Sequence, residues 1–293
     1  MFKPVAIASL LALGATQALA ENSIELEQRG ADNVAELQQL GLVESSSIDV
    51  SQVGNLNEAS ITQIGEAYFK VANLQQIGNA NVATVEQTGR TSTLNASSVG
   101  NGNQITGSQT SFVTAQIEQR GDDNQLTFSQ QGYYEGARLN VSQDGLGNMA
   151  DIFQGDGNRM TFAQVGSYNT ADIHQSDYHN ELDFTQSGDS NRLTVDQNGF
   201  GGRISGSSTG SGNSVDIAQR FMSNQATVIQ NGNDNLASIE QGNYSHQATI
   251  TQMGSANEAI IRQSLPTNDY TRLPSAAAIH QSGTGNSETI VQQ

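Results

Sequence analysis

The chain has 293 residues, of which 14% are charged and 5% aromatic, and it contains neither Cys nor Trp. A hydrophobic content of 35% is too small for an ordinary thick core at this length. A formal net charge of −17 makes nucleic acid and anionic membrane poor partners.

Residues 1–20 read as a secretory signal. Lys3 supplies a short positive region, Val5 to Gly14 is an apolar run too short to span a membrane, and Ala18-Leu19-Ala20 is an A-x-A cleavage site. The mature chain is expected to start at Glu21 and, without Lys3, to carry −18. No other segment could be transmembrane. With no Cys, an exported chain must take its stability from backbone ladders rather than crosslinks.

A repeat begins immediately after the signal. Ile24, Leu26 and Gln28 alternate with period two, which is the signature of a half-buried strand. Gln28, Gly30 and Asn33 form a turn, and Asn33, Ala35, Leu37 and Gln39 return as a second arm. The second unit repeats this as Gln52, Gly54, Asn57, Ala59, Ile61 and Gln63, and the third as Gln76, Gly78, Asn81, Ala83 and Gln87. The fourth unit is looser, with Ser98 in the Gln place before Asn103, Ile105, Gly107 and Gln109. Gln119, Gly121 and Asn124 carry the fifth unit, and Gln143, Gly145 and Asn148 the sixth. Gln164, Gly166 and Asn169, then Gln186, Gly188 and Asn191, carry the seventh and eighth. Ser208 replaces Gln in the ninth. Gln230, Gly232 and Asn235 follow, then Gln252, Gly254 and Asn257, with His246 between them at an Asn position. The segment Ser264 to Ala276 holds Pro266 and Pro274 and is expected to loop out of the sheet. Gln281, Gly283 and Asn286 close the series, with Glu288 at an inward position.

The spacing Gln-x-Gly-x-x-Asn thus occurs ten times, and Asn followed six residues later by Gln sixteen times. Such periodicity outranks every other signal and excludes disorder and helix alike. The predicted fold is an all-β solenoid of about twelve strand–turn–strand rungs, whose two arms build two parallel in-register sheets of cross-β type. Rungs roughly 4.8 Å apart would make a rod on the order of 55 Å long. Inward Gln and Asn are costly without partners, and stacking on their own copies one rung away supplies those partners. Gly30 and its equivalents are expected to take positive φ, and Asn33 and its equivalents either to cap the turn or to ladder. The first rung has no visible cap and the twelfth no capping helix. Open, self-complementary ends of this kind stack head to tail.

Gln28, Gly30, Asn33, Ala35 and Gln39 resemble the repeat of the curlin family of bacterial surface amyloids. So do the equivalent residues beginning at Gln52, Gln76 and Gln143. The resemblance extends over nearly the whole chain after residue 20. It implies secretion across the outer membrane, nucleated assembly at the cell surface, and a role in biofilm matrix and adhesion. The implied partners are further copies of the chain, a nucleator subunit, an outer-membrane secretion pore and periplasmic chaperones, with no cofactor. Two departures are the large number of repeats and the missing Gly-rich segment before the first one.

Other functions fit less well. Asp151 and Asp172 should occupy equivalent outward positions on neighbouring rungs and could pair as acid and base, but no Arg or Lys recurs beside them and the chain is not expected to be an enzyme. His174, His179, His246 and His280 share no ligand spacing, so no metal site is expected. Thr84, Thr106 and Thr127 form a short outward ladder of the type that binds ice, but it does not persist. The serious rival is a surface adhesin or minor nucleator with the same fold that does not itself form long fibres.

Overall fold

In a computed structural model the described residues are 7–12, 22–41, 43–65, 67–263 and 274–292. The chain is an all-β solenoid, with no α-helix among the described residues. It divides into two compact units, Met1–Gly147 and Asn148–Gln293.

In the first unit the first arms form one parallel sheet: Ser23–Arg29, Ser47–Asn55, Lys70–Asn79, Ser92–Asn101, Val113–Asp122 and Arg138–Leu146. The second arms form another: Val34–Leu40, Glu58–Ile64, Val82–Gln87, Gln104–Gln109 and Gln125–Gln130. A short ribbon, Val43–Glu44 with Ala67–Tyr68, joins two of the outer turns.

The second unit repeats the plan. One sheet contains Arg159–Ser167, Glu181–Asp189, Arg203–Ser211, Gln225–Asn233, Gln247–Ser255 and Ala276–Thr284. The other contains Met149–Gln154, Thr170–Ser176, Arg192–Phe200, Ser214–Met222, Leu236–Gln241, Glu258–Gln263 and Ser287–Gln292. Five complete rungs lie in the first unit and six in the second, and the arms of the remaining repeat are divided between them.

Register follows the repeat letter by letter. Gln52 pairs with Gln76 and Gly54 with Gly78 in one sheet, and Ala59 with Ala83 and Gln63 with Gln87 in the other. The period-two pattern puts Ile48, Val50, Ala59 and Ile61 wholly inside, between the two sheets. A one-residue slip would turn this entire set outward, so burial enforces the register. Large side chains are accommodated by absences next to them. A Cβ on Gly107 would strike the Phe128 ring, and one on Gly206 would lie 3.0 Å from Phe184.

The structure bears on several sequence expectations. Ile7–Ala12, inside the leader, forms a strand parallel to Val34–Leu40, so one of the two N-terminal sheet edges is covered. The apolar run that suits a leader also suits a strand. Of the proposed loop at 264–276, residues 264–273 lie outside the described residues, and Ala276 already begins a strand. The flanks are not uniformly polar: Val53, Ile77 and Val99 follow one another in register on an exposed ridge. Glu288 does pair with inward Ala259, but on the last rung its side chain remains exposed.

The turn glycines have φ between +95° and +133° at all ten Gln-x-Gly-x-x-Asn sites, a region that side chains rarely adopt. A Cβ on Gly54 would in addition collide with the carbonyl oxygen of Gly78 on the next rung. Gly283, on the last rung, faces only the Asn286 side chain at 3.6 Å. Gly54→Ala is therefore expected to cost roughly 1–3 kcal/mol or more, and Gly283→Ala distinctly less. Urea unfolding midpoints of the two variants check this; equal losses would contradict the rung-to-rung collision.

Candidate functional site: amide ladders and rung edges

The inward Gln residues form directed chains. Gln28 Nε2 donates to Gln52 Oε1 at 2.6 Å, and Gln52 donates to Gln76 at 2.8 Å. In the facing sheet Gln39 donates to Gln63 at 2.9 Å, Gln63 to Gln87 at 2.8 Å, Gln87 to Gln109 and Gln109 to Gln130. The second amide proton crosses the interior. Gln52 Nε2 also donates to the Val34 carbonyl, and Gln63 Nε2 to the Ser47 carbonyl, each at 3.0 Å. One side chain thus binds the next rung and the opposite sheet together. Gln52, Gln63 and Gln87 are fully buried and satisfied in this way, while the equally buried Gln76, followed by Ser98, donates to the Glu58 and Asn81 carbonyls instead.

The Asn residues at the turn between arms do two things at once, where the sequence left capping and laddering as alternatives. Asn57 donates from both its backbone N and its Nδ2 to Asn33 Oδ1, at 3.0 and 3.1 Å. The same Nδ2 donates to the Gly78 carbonyl at 2.9 Å. A single side chain therefore ties three consecutive rungs, and it closes the backbone donor that the turn would otherwise leave open. Asn81, Asn103 and Asn124 repeat the pattern. Side chain to side chain, the Asn chain runs opposite to the Gln chains: Gln52 and Gln63 donate to the Gln of the following rung, and Asn57 and Asn81 to the Oδ1 of the preceding Asn.

The second unit continues both types. Gln175, Gln197, Gln219, Gln241, Gln263 and Gln292 follow one another at 2.7–3.0 Å. Asn148, Asn169, Asn191, Asn213, Asn235, Asn257 and Asn286 form the turn ladder. The first-arm ladder is weaker. Ser98 and Ser208 each keep a hydroxyl bond to the next Gln, at 3.2 and 3.1 Å to Gln119 and Gln230. Gln119 to Gln143, Gln164 to Gln186 and Gln230 to Gln252 remain intact. The second-arm Gln fall outside the Gln-x-Gly-x-x-Asn spacing and are the ones that the sixteen Asn-to-Gln spacings of six residues pick out in the sequence.

The turn between successive rungs has a looser ladder in the same style. Ser46 N donates to Asn22 Oδ1, Lys70 N to Ser46 Oγ, Asn180 N to Asn158 Oδ1 and Gly202 N to Asn180 Oδ1. Lys70, which sequence reasoning passed over, occupies an interior position with a buried Nζ that lacks a hydrogen-bond partner, and burial lowers its pKa. His246 fills the same slot. Its backbone N donates to Asn224 Oδ1, its Nδ1 meets Ser275 Oγ at 2.8 Å, and its Nε2 is buried without a partner. Asp151 and Asp172 are in register on the exposed outer face, followed by Thr194.

Residues 210–242 match the family model of the curlin associated repeat. That stretch is similar to the curlin associated repeat. The matched stretch contains the turn glycines Gly210 and Gly232, the Asn ladder at Asn213 and Asn235, and the Gln ladder at Gln219, Gln230 and Gln241. The resembling stretches at Gln28, Gln52, Gln76 and Gln143 lie outside it and place the same residue types in the same bonds. No curated protein matches the chain.

Burial pulls the His246 pKa below 6.5, only partly offset by a backbone contact at Gly242. A base whose folded pKa is depressed withholds nothing above the unfolded value. As pH falls through 6.5 the unfolded chain takes the proton first, and stability drops. His246→Asn, which restores the residue of the neighbouring rung, is expected to remove this part of the acid sensitivity. Unfolding midpoints of parent and variant between pH 7.5 and about 5 measure it; parallel curves would contradict the assignment.

Proposed function

We propose that the chain is a structural subunit of extracellular curli-like amyloid fibres, assembling head to tail by rung stacking. The observation that carries this reading is the directed complementarity of its end rungs. At the last rung Gln281 and Gln292 each accept from the preceding Gln and give one amide proton to a carbonyl, of Glu258 and Ala276 respectively. Each amide has a second proton, the one that elsewhere in the ladder reaches the following rung. The first-rung Gln28 and Gln39 carry the corresponding acceptor oxygens. The Asn chain matches in the reverse sense: Asn286 Nδ2 donates back to Asn257 Oδ1, and Asn33 Nδ2 donates forward to the Gly54 carbonyl. A second copy supplies what each end lacks, with the register already used inside the chain.

The family resemblance adds the setting: export through the periplasm, a secretion pore in the outer membrane, a nucleator subunit, and a place in biofilm matrix and adhesion. Membrane insertion is no part of the reading; among the described residues no helix is long and apolar enough to cross a bilayer. The role is structural rather than catalytic, because the repeated polar residues are spent on one another.

A second reading, a surface solenoid that does not polymerise, has one observation in its favour. Ile7–Ala12 covers the edge of Val34–Leu40, where a second copy would pair. The two readings separate on one comparison. Purified chain lacking residues 1–20 is expected to form seedable, thioflavin-positive fibres with a meridional reflection near ~4.8 Å, and to do so faster than the full chain. A shortened chain that stays monomeric for days at high concentration would favour the non-polymerising solenoid.

A further inference from the structure

Most outward positions of a solenoid carry whatever keeps the flank wet. One face departs from this. In the first unit the strands Ser47–Asn55, Lys70–Asn79, Ser92–Asn101 and Val113–Asp122 frame an open groove of about 410 Å³ on the outer side of their sheet. Register organises its side chains into two rows. One runs Asp49, Asn73, Asn95, Gln116, and the other Ser51, Gln75, Ser97, Glu118. At the equivalent places in the second unit the rows hold no Asn or Gln: one runs Thr161, Asp183, Ser205, Thr227, Thr249, Ala278 and the other Ala163, Thr185, Ser207, Ile229, Thr251, His280. The concentration of amides is therefore not a product of the repeat, whose own amides point inward.

We propose that this groove binds a neutral polysaccharide, laid along the stacking direction. The amides and hydroxyls offer donors and acceptors side by side, which is what adjacent sugar hydroxyls require. Asn73 Nδ2 donates to Asn95 Oδ1 at 2.7 Å, which fixes both amide planes along the row before any ligand arrives. Rungs repeat at about 4.8 Å and alternate outward residues at about 6.6 Å, so a chain of pyranose rings running across the strands meets equivalent groups ring after ring. The remaining chemistry argues against other occupants. No Lys, Arg or aromatic side chain lines the groove, so a polyanion has no counter-charge and a protein partner no anchoring residue. Asp49 at one end and Glu118, ion-paired with Arg120, at the other repel acidic polymers and leave too few carboxylates together for a cation. The site lies on one chain and goes beyond the fibre reading, with which it shares no residue.

The test is equilibrium binding to the soluble full chain, with neutral hexasaccharides of glucose, mannose, galactose and N-acetylglucosamine as probes and an alginate hexamer as the acidic control. At least one neutral hexasaccharide is expected to bind saturably and the alginate not at all. Asn95→Ala with Gln116→Ala should weaken binding tenfold or more, as should the isosteric Asn95→Asp, which removes donors without removing bulk. Thr227→Ala with Thr249→Ala should leave it unchanged. Absence of saturable binding by every neutral probe, equal binding of alginate, or binding indifferent to the Asn95 and Gln116 variants would overturn the proposal. So would salt-insensitive self-association of the soluble chain that both Asn95 variants abolish without sugar present. Thioflavin kinetics on the same samples keep the outcome separate from that of fibre formation.

Discussion

The structure depends on a hydrogen bond between like amides on neighbouring rungs. Burying a Gln in a core this thin is unfavourable unless every amide group finds a partner. The ladder provides partners only if the next rung carries the same residue at the same height. Gln63 is therefore comfortable because Gln39 lies on one side of it and Gln87 on the other. Everything else in the repeat preserves that alignment. The alternating Ile, Val, Leu and Ala prevent a slip by one residue, and the positive-φ glycine closes the turn without changing its length.

The ladders are not equally strict. The second-arm Gln and the Asn at the turn between arms recur at every rung of both units, whereas the first-arm Gln gives way to Ser98 and Ser208. The turn between rungs accepts Asn, Ser, Lys, Gly and His in one slot. Geometry accounts for the ranking. The strict Asn bridges three rungs and satisfies a backbone donor, so its loss orphans several groups. In the tolerant slot the backbone N bonds to whatever side-chain atom precedes it, and a hydroxyl or ring nitrogen serves as well as an amide. Lys70 and His246 survive there, each leaving one buried polar atom without a partner.

Most of the fold was legible, because a strand period of two broken by Gly and Asn has few physical solutions. The ladder residues were legible for the same reason: Gln52 and Gln63 look misplaced until they are stacked. What could not be read was the sense of each ladder, since an amide in a sequence does not say which neighbour it donates to. The strained residue before each turn Asn was missed as well. Leu56 and Asp32 take φ near +58°, in the slot that Gly102 and Gly147 fill elsewhere, and neither advertises it. The strand at Ile7–Ala12 was hidden because leader and strand use the same apolar residues. The groove was hidden because Asp49, Asn73, Asn95 and Gln116 become a row only once the rungs are stacked, and no spacing between unlike residues signals that.

The most direct measurement is a double-mutant cycle on Gln63 and Gln87, which the ladder joins at 2.8 Å. Each is replaced by Ala singly and together, and unfolding free energies are compared. If the amide-to-amide bond holds rungs together, either single change orphans the other partner. The second change then costs less than the first, with a coupling of about 1 kcal/mol or more. Additive losses would mean that each Gln is held by its own carbonyl contact alone, and that the ladder is a consequence of the stack rather than its cause.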